Sequence, residues 1–232
     1  MESYQNITIN LSFKPSGEFV KNLLLKTFDF LLYNRSQIPF TVEILQHFVN
    51  KGTENDYKKI GQKHKAQQTY NNILEVKQLI DEEFFNTKSF LIIFGSTIMT
   101  AKEAIWIKFP TITNCIFPSY LNELSIQKKI LLQLIQSENF KNLFSNPLSI
   151  TNAFILFEQF DDENLSKGLC KIKNFKLNKS CKKYAISFNH SSDFEIFCED
   201  LQDLNLAFED EEVWYQSKIF IKGFNKIAES PI

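Results

Sequence analysis

Apolar and polar side chains alternate over the opening of the chain, and the spacing then changes to three and four. Ile7, Ile9, Leu11 and Phe13, separated by Thr8, Asn10 and Ser12, predict a half-buried strand that Pro15-Ser16-Gly17 stops. Phe19, Leu23, Leu24, Phe28, Leu31 and Leu32 then predict a helix from Glu18 to about Tyr33, N-capped by Ser16 and ended before Pro39. A shorter helix follows from Thr41 to about Val49, with Ile44, Leu45 and Phe48 on one side. From Asn50 to Gln68 the chain turns polar and lysine-rich around Gly52 and Gly61, which predicts an exposed, mobile loop over about 51–68.

Beyond that loop a long helix is expected from about Thr69 to Phe85, with Tyr70, Ile73, Leu74, Val76, Leu79, Ile80 and Phe84 facing inward. Strands are expected at Ser89–Phe94 and Ala104–Phe109, then a helix from about Ser125 to Phe140. This last helix is too apolar for a single contact. Leu124, Ile126, Ile130, Leu131, Leu132, Leu134 and Ile135 spread over roughly 240° of its circumference, against the usual stripe of a little over 100°. Part of that arc should face a partner or a second layer of the protein itself, while Lys128, Lys129 and Gln133 fill the remainder. Ala153–Phe160, Leu169–Leu177, Lys183–Asn189, Phe194–Cys198 and Val213–Phe224 read as strands. The order suggests an α+β fold, helices packed on one antiparallel sheet, as a single domain over 7–224 with a flexible tail at 225–232.

Composition narrows the function classes. A hydrophobic content of 44% with 24 phenylalanines supplies a core for one domain, and a net charge of −1 removes any chain-wide attraction to nucleic acid. No apolar run approaches the ~20 residues of a membrane helix, and the first residues lack the pattern of a signal peptide. A soluble, intracellular, reduced protein is expected. Cys115, Cys170, Cys181 and Cys198 contain no C-x-x-C pair, and His47, His64 and His190 do not complete a zinc set, so no metal and no cofactor are expected.

Catalytic signatures are equally sparse. Phe94-Gly95-Ser96-Thr97 lacks the Gly-Lys-Ser/Thr of a phosphate loop and the flanking glycines of a nucleophile elbow, and reads as a plain turn. Asp81-Glu82-Glu83 and Asp161-Asp162-Glu163 read as solvated surface, and His47 as a hydrogen-bonded structural residue. The seven lysines from Lys167 to Lys183, near an acidic stretch from Glu199 to Glu212, read as the wet face of a sheet or a docking surface for an acidic partner. No nucleophile, base and oxyanion hole assemble, so an enzyme is not expected.

Two distant stretches carry a resemblance. Leu23-Leu24-Leu25-Lys26 with Tyr33-Asn34-Arg35-Ser36-Gln37-Ile38-Pro39, and Trp214, Tyr215, Gln216, Phe220, Lys222, Gly223 and Phe224 near the other end, resemble the comet family in the same order. Ile92-Ile93-Phe94-Gly95 followed by Thr100-Ala101-Lys102-Glu103 adds to the likeness. Comet proteins are HORMA-fold adaptors that bind the spindle-checkpoint protein Mad-two. The resemblance implies three main helices on an antiparallel sheet and a C-terminal region like a safety belt, closed by the chain's own last strand, here Val213–Phe224.

It also implies partners and sites. The partners are closed Mad-two, within the mitotic checkpoint complex, and the AAA+ ATPase that remodels HORMA proteins, with no nucleic acid and no membrane. The Mad-two interface would comprise Asn34, Arg35, Lys128, Leu131, Leu132 and Ile135. Asn34 replaces a family glutamine and Leu131 an aromatic residue, so both contacts shrink. Lys171 and Lys173 would dock the remodeller, and Trp214, Tyr215, Gln216, Phe220, Lys222, Gly223 and Phe224 would close the belt. Localisation to nucleus and cytoplasm, with spindle or kinetochore association in mitosis, follows from the same resemblance. A peptide-clasping HORMA protein, or a scaffold without a remodeller, is the alternative.

Overall fold

The structure, a computed structural model, describes residues 4–11, 13, 15–50, 57–109, 122–145, 147–160, 165–190 and 213–225. Strand β1 (Gln5–Leu11) buries Ile7, Ile9 and Leu11, so the alternating pattern is present but starts and ends two residues earlier than the sequence suggests. Helix α1 (Gly17–Asn34) begins as expected at Ser16, whose extended backbone lets its hydroxyl accept the amide of Phe19 at 3.3 Å. Helix α2 (Val42–Asn50) buries Val42, Leu45 and Val49 and leaves Ile44 and Phe48 exposed. His47 on it is exposed, which corrects the reading of a structural histidine.

Helix α3 (Tyr57–Glu83) corrects the expected loop: residues 57–68 are helical, and only 51–56 fall outside the described residues. Ala66 is the buried residue among the side chains described in this stretch and Thr69 is buried just beyond it, and neither registers as an apolar stripe. Farther along, Ile73, Val76, Leu79 and Ile80 are buried as expected, whereas Leu74 points outward. Glu83 is also buried, contrary to its reading as solvated surface. Its carboxylate accepts Gln159 Nε2 and the amide of Ser166, both at 2.8 Å. Asp161, Asp162 and Glu163 lie outside the described residues.

Strands β2 (Thr87–Gly95) and β3 (Ala101–Lys108) form a hairpin through the Ser96–Thr100 turn. Gly95 is needed there, because a Cβ would stand 2.7 Å from the Thr100 carbonyl. The single helix expected to Phe140 is two, α4 (Glu123–Gln136) and α5 (Glu138–Ser145). Ser137 breaks it with extended backbone: its amide bonds the carbonyls of Gln133 and Leu134, and its own carbonyl starts the next helix at Lys141.

Four further strands, β4 (Asn152–Gln159), β5 (Leu169–Ile172), β6 (Lys182–His190) and β7 (Trp214–Ser217), with the two-residue β8 (Ile221–Lys222), complete an eight-stranded sheet. Its order is β1-β6-β3-β2-β4-β7-β5, with β8 also on β4. The sheet is mixed rather than wholly antiparallel, since β6 runs parallel to both β1 and β3. The fold is α+β. One face of the sheet and all five helices among the described residues share the larger hydrophobic cluster, while Leu91, Ile93, Ala104, Phe154, Leu156 and Trp214 form a smaller one on the other side.

The strand order dictates a strap. Among the described residues β5 is an edge strand, and β6 lies between β1 and β3, so residues 173–181 cross the sheet instead of extending β5 to Leu177 as expected. Phe175, Leu177 and Cys181 of the strap pack in the smaller cluster, Phe175 edge-on to Trp214 at 6.0 Å. Asn178 buckles it, donating from Nδ2 to the carbonyls of Met99 at 3.1 Å and Ala101 at 2.9 Å. The expected strand Phe194–Cys198, with Cys115 and Cys198, lies outside the described residues.

Candidate interaction surfaces

Val213–Phe224 was expected as one strand, and segment 213–225 forms two short ones on β4. Trp214–Gln216 pair antiparallel with Glu158–Leu156, and Ile221 and Lys222 pair with Ala153 and Asn152. β5 then pairs with the outer side of β7, so β7 is an interior strand. Between the two strands Ser217 turns the chain, its hydroxyl bonding the amide and carbonyl of Ile219. Helix α3 fixes the second half, with Asn72 Nδ2 donating to Phe220 O at 3.0 Å and Thr69 Oγ1 to Lys222 O at 3.1 Å. Trp214, Tyr215 and Ile221 are buried, Gln216 and Phe224 half-buried, and Phe220 and Lys222 exposed. At Gly223 a Cβ would stand 2.5 Å from the Thr151 carbonyl, so no side chain fits.

A second surface lies where α1, the start of α2 and α4 meet. Ile130 and Leu134 turn into the core, and Leu131 is half-buried against it. Leu124, Leu132 and Ile135 remain 57%, 54% and 38% exposed, forming an apolar ridge with Lys128 and Lys129 beside it. The surplus apolar arc read from the sequence is therefore real surface among the described residues. Beside it a groove of about 660 Å³ is walled by Leu25, Phe30 and Tyr33 of α1, Val42 of α2, and Leu124 and Leu131 of α4. Phe30 is held by stacking on Phe140 of α5 at 5.9 Å.

The groove's polar groups tie its walls together. Glu123 Oε1 accepts both Asn22 Nδ2 at 3.1 Å and Gln127 Nε2 at 2.8 Å, bridging α1 to α4. Lys77 of α3 donates to Asp29 Oδ2 at 2.7 Å. Burial pushes the Asp29 carboxyl above its ordinary value against the pull of that lysine. The surface has the apolar centre and charged rim of a protein-binding face.

Of the expected interface residues, Lys128, Leu131, Leu132 and Ile135 share this face, and Asn34 ends α1 near it, its Nδ2 bonded to Phe30 O at 2.8 Å. Arg35 does not belong to it. Its guanidinium is buried, donating from Nε and Nη2 to both oxygens of Glu103 at 2.8 and 2.7 Å and from Nη1 to Leu143 O at 3.0 Å. Burial pushes Glu103 up while Arg35 opposes it. An arginine in a helix-ending turn reads as surface, and only the partner on β3 reveals that it is internal.

Lys171 and Lys173 lie elsewhere. Both are exposed at the β5 edge, with Lys171 Nζ 5.8 Å from the Tyr215 ring centre. Helix α4 packs near β1 at the opposite edge, six strand spacings or about 30 Å away. Sequence reading missed the residues that seat segment 213–225, namely Gln37, Thr69 and Asn72. Gln37 lies within the Tyr33–Pro39 motif, but no local signal marks the other two. Among the described residues no group of three metal-ligating side chains occurs, and no helix is long and apolar enough to cross a membrane. No protein-family model matches the chain, and no curated protein sequence matches it.

Proposed function

We propose that this chain is a non-enzymatic HORMA-fold adaptor of the comet type, pairing side by side with closed Mad-two through the α1–α4 face. The observation that carries this reading is the interior position of β7: the chain fills, with its own segment, the slot between β4 and β5 that a peptide-clasping HORMA protein would offer to a ligand. The strap from Lys173 to Cys181 crosses that segment as a belt would. The ridge of Leu124, Leu132 and Ile135, exposed among the described residues, supplies the apolar centre of a docking face. Lys171 and Lys173 are exposed at the far edge of the sheet, so an AAA+ ATPase bound there would not obstruct Mad-two.

In this role the chain performs no chemistry. It selects one conformer of a two-state partner by differential affinity, and the ATPase supplies the work of reopening it, dismantling the mitotic checkpoint complex. Size-exclusion co-elution with Mad-two locked closed and Mad-two locked open tests the reading. Co-elution with the closed form alone is expected, and equal behaviour towards both forms overturns it.

A further inference from the structure

Gln37 is wholly buried in the turn after α1, and its polar groups reach several parts of the molecule. Its Nε2 donates to Arg35 O at 2.5 Å, and its Oε1 accepts the amide of Thr151 at 2.8 Å. Its backbone amide returns to Leu32 O at 3.0 Å, and its backbone carbonyl accepts the amide of Phe224 at 3.0 Å. Thr151 O in turn accepts the amide of Gly223 at 2.9 Å. One residue thus joins the last turn of α1 to the start of β4 and to segment 213–225.

The same turn carries Tyr33 and Asn34, the α1 part of the docking face, and Arg35, which grips β3 and the end of α5. Ser36 holds a φ of 55°, the left-handed residue that ends α1 at a position glycine usually fills. The approach at Gly223 is close enough that a Cβ would stand 2.9 Å from Gln37 Oε1. Unseating Gly223 and Phe224 therefore leaves the buried Gln37 carbonyl without its donor, next to the left-handed residue of the turn.

We infer that Gln37 is a positioning residue that couples the seating of segment 213–225 to the geometry of the α1–α4 face. The inference rests on the reading of that face as the surface that docks closed Mad-two. The coupling is reciprocal, so a partner bound on the face must tighten the segment by the same factor by which the seated segment tightens the partner.

Hydrogen exchange and binding on the full chain test it. Asn72→Ala, which removes the bond to Phe220 O, loosens the segment away from the docking face, and Gly223→Ala loosens it more strongly at its contact with Gln37 itself. In the isolated chain both variants should speed exchange at the amides of Arg35 and Ser36. Each should weaken closed Mad-two binding, Gly223→Ala by about tenfold. In a Gln37→Met background, which keeps the side-chain volume but loses its hydrogen bonds, the further effect of either change should shrink. Unaltered exchange at Arg35 and Ser36 in folded Asn72→Ala and Gly223→Ala overturns the inference, as do strictly additive effects with Gln37→Met. Failure of the wild-type chain to bind closed Mad-two overturns instead the reading of the face, and the exchange arm still decides whether segment and turn are coupled.

Discussion

Helix α4 and segment 213–225 both carry more apolar side chains than their positions seem to need, and the structure treats the two surpluses differently. Trp214, Tyr215 and Ile221 are at most 4% exposed, while Leu124 and Leu132 remain more than half exposed. An interior strand has neighbours above and below, so both of its faces can be buried, and the strap and helix α3 cover them. A helix lying on a sheet buries one stripe and must leave the rest outside. The same excess therefore stabilises the fold in one region and in the other contributes almost nothing to it. Residues of the second kind are free to serve a partner.

The largest test of this contrast is to remove the segment. Ending the chain after Glu212 deletes three buried large side chains worth about 1.5–3 kcal/mol each, comparable with a domain's whole ~5–15 kcal/mol, and opens the outer side of β4. Loss of a cooperative thermal transition is expected. A cooperative monomer that takes up linear peptides would show the slot to be an open clasp.

Arg35 sharpens the contrast from the inside, since it was expected on the docking face and is buried. Arg35→Met should cost about 3–5 kcal/mol in urea unfolding, because Glu103 is then a buried charge without its partner. The double change Arg35→Met with Glu103→Leu should recover most of that, to within about 1–2 kcal/mol of wild type, the remainder reflecting the orphaned Leu143 carbonyl. If the double variant is no more stable than the single, the pair is not what holds the turn.

On the ridge the expectation is reversed. Leu132→Glu should shift stability by no more than about 0.5 kcal/mol, and should still abolish co-elution with closed Mad-two. Intact binding with an intact fold would remove the ridge from the docking face. Leu132 serves this purpose better than Leu131, whose side chain is partly committed to the core.

The smallest effect is a pH dependence at the groove. The folded chain raises the Asp29 carboxyl above 3.8, so it holds its proton more tightly than the unfolded chain does. The stability this contributes is fully present below the unfolded value and is lost as pH rises through the raised folded value. Asp29→Asn should therefore gain on wild type across that rise in paired urea titrations. A difference that stays constant with pH would place the carboxyl in water.

How far the sequence was legible follows from which forces are local. Ser16 capping α1 and the alternation in β1 depend on neighbours in the chain, and both were readable to within about two residues. The first part of α3 was not, because Ala66, buried there, and Thr69 just beyond it make no apolar stripe, and the partner of Thr69, Lys222, lies far away in sequence. The parallel pairing of β6 with β1 and β3, and the strap it demands, are likewise set by strand order, which no local pattern encodes. Of the docking face, the α4 ridge was visible as a surplus on the helical wheel, while the inward turn of Arg35 required knowledge of Glu103.

The interior position of β7 also sets a timetable for synthesis. β5 pairs only with β7 among the described residues, and Trp214 follows Leu169 by 45 positions. At about 5–20 residues per second a ribosome needs roughly 2–9 s to cover that stretch. During this interval the outer side of β4 and the whole of β5 are unpaired edges, open to strands of neighbouring nascent chains. Codon usage that slows elongation between residues 169 and 214 should thus lower soluble yield, although it alters no residue of the finished protein.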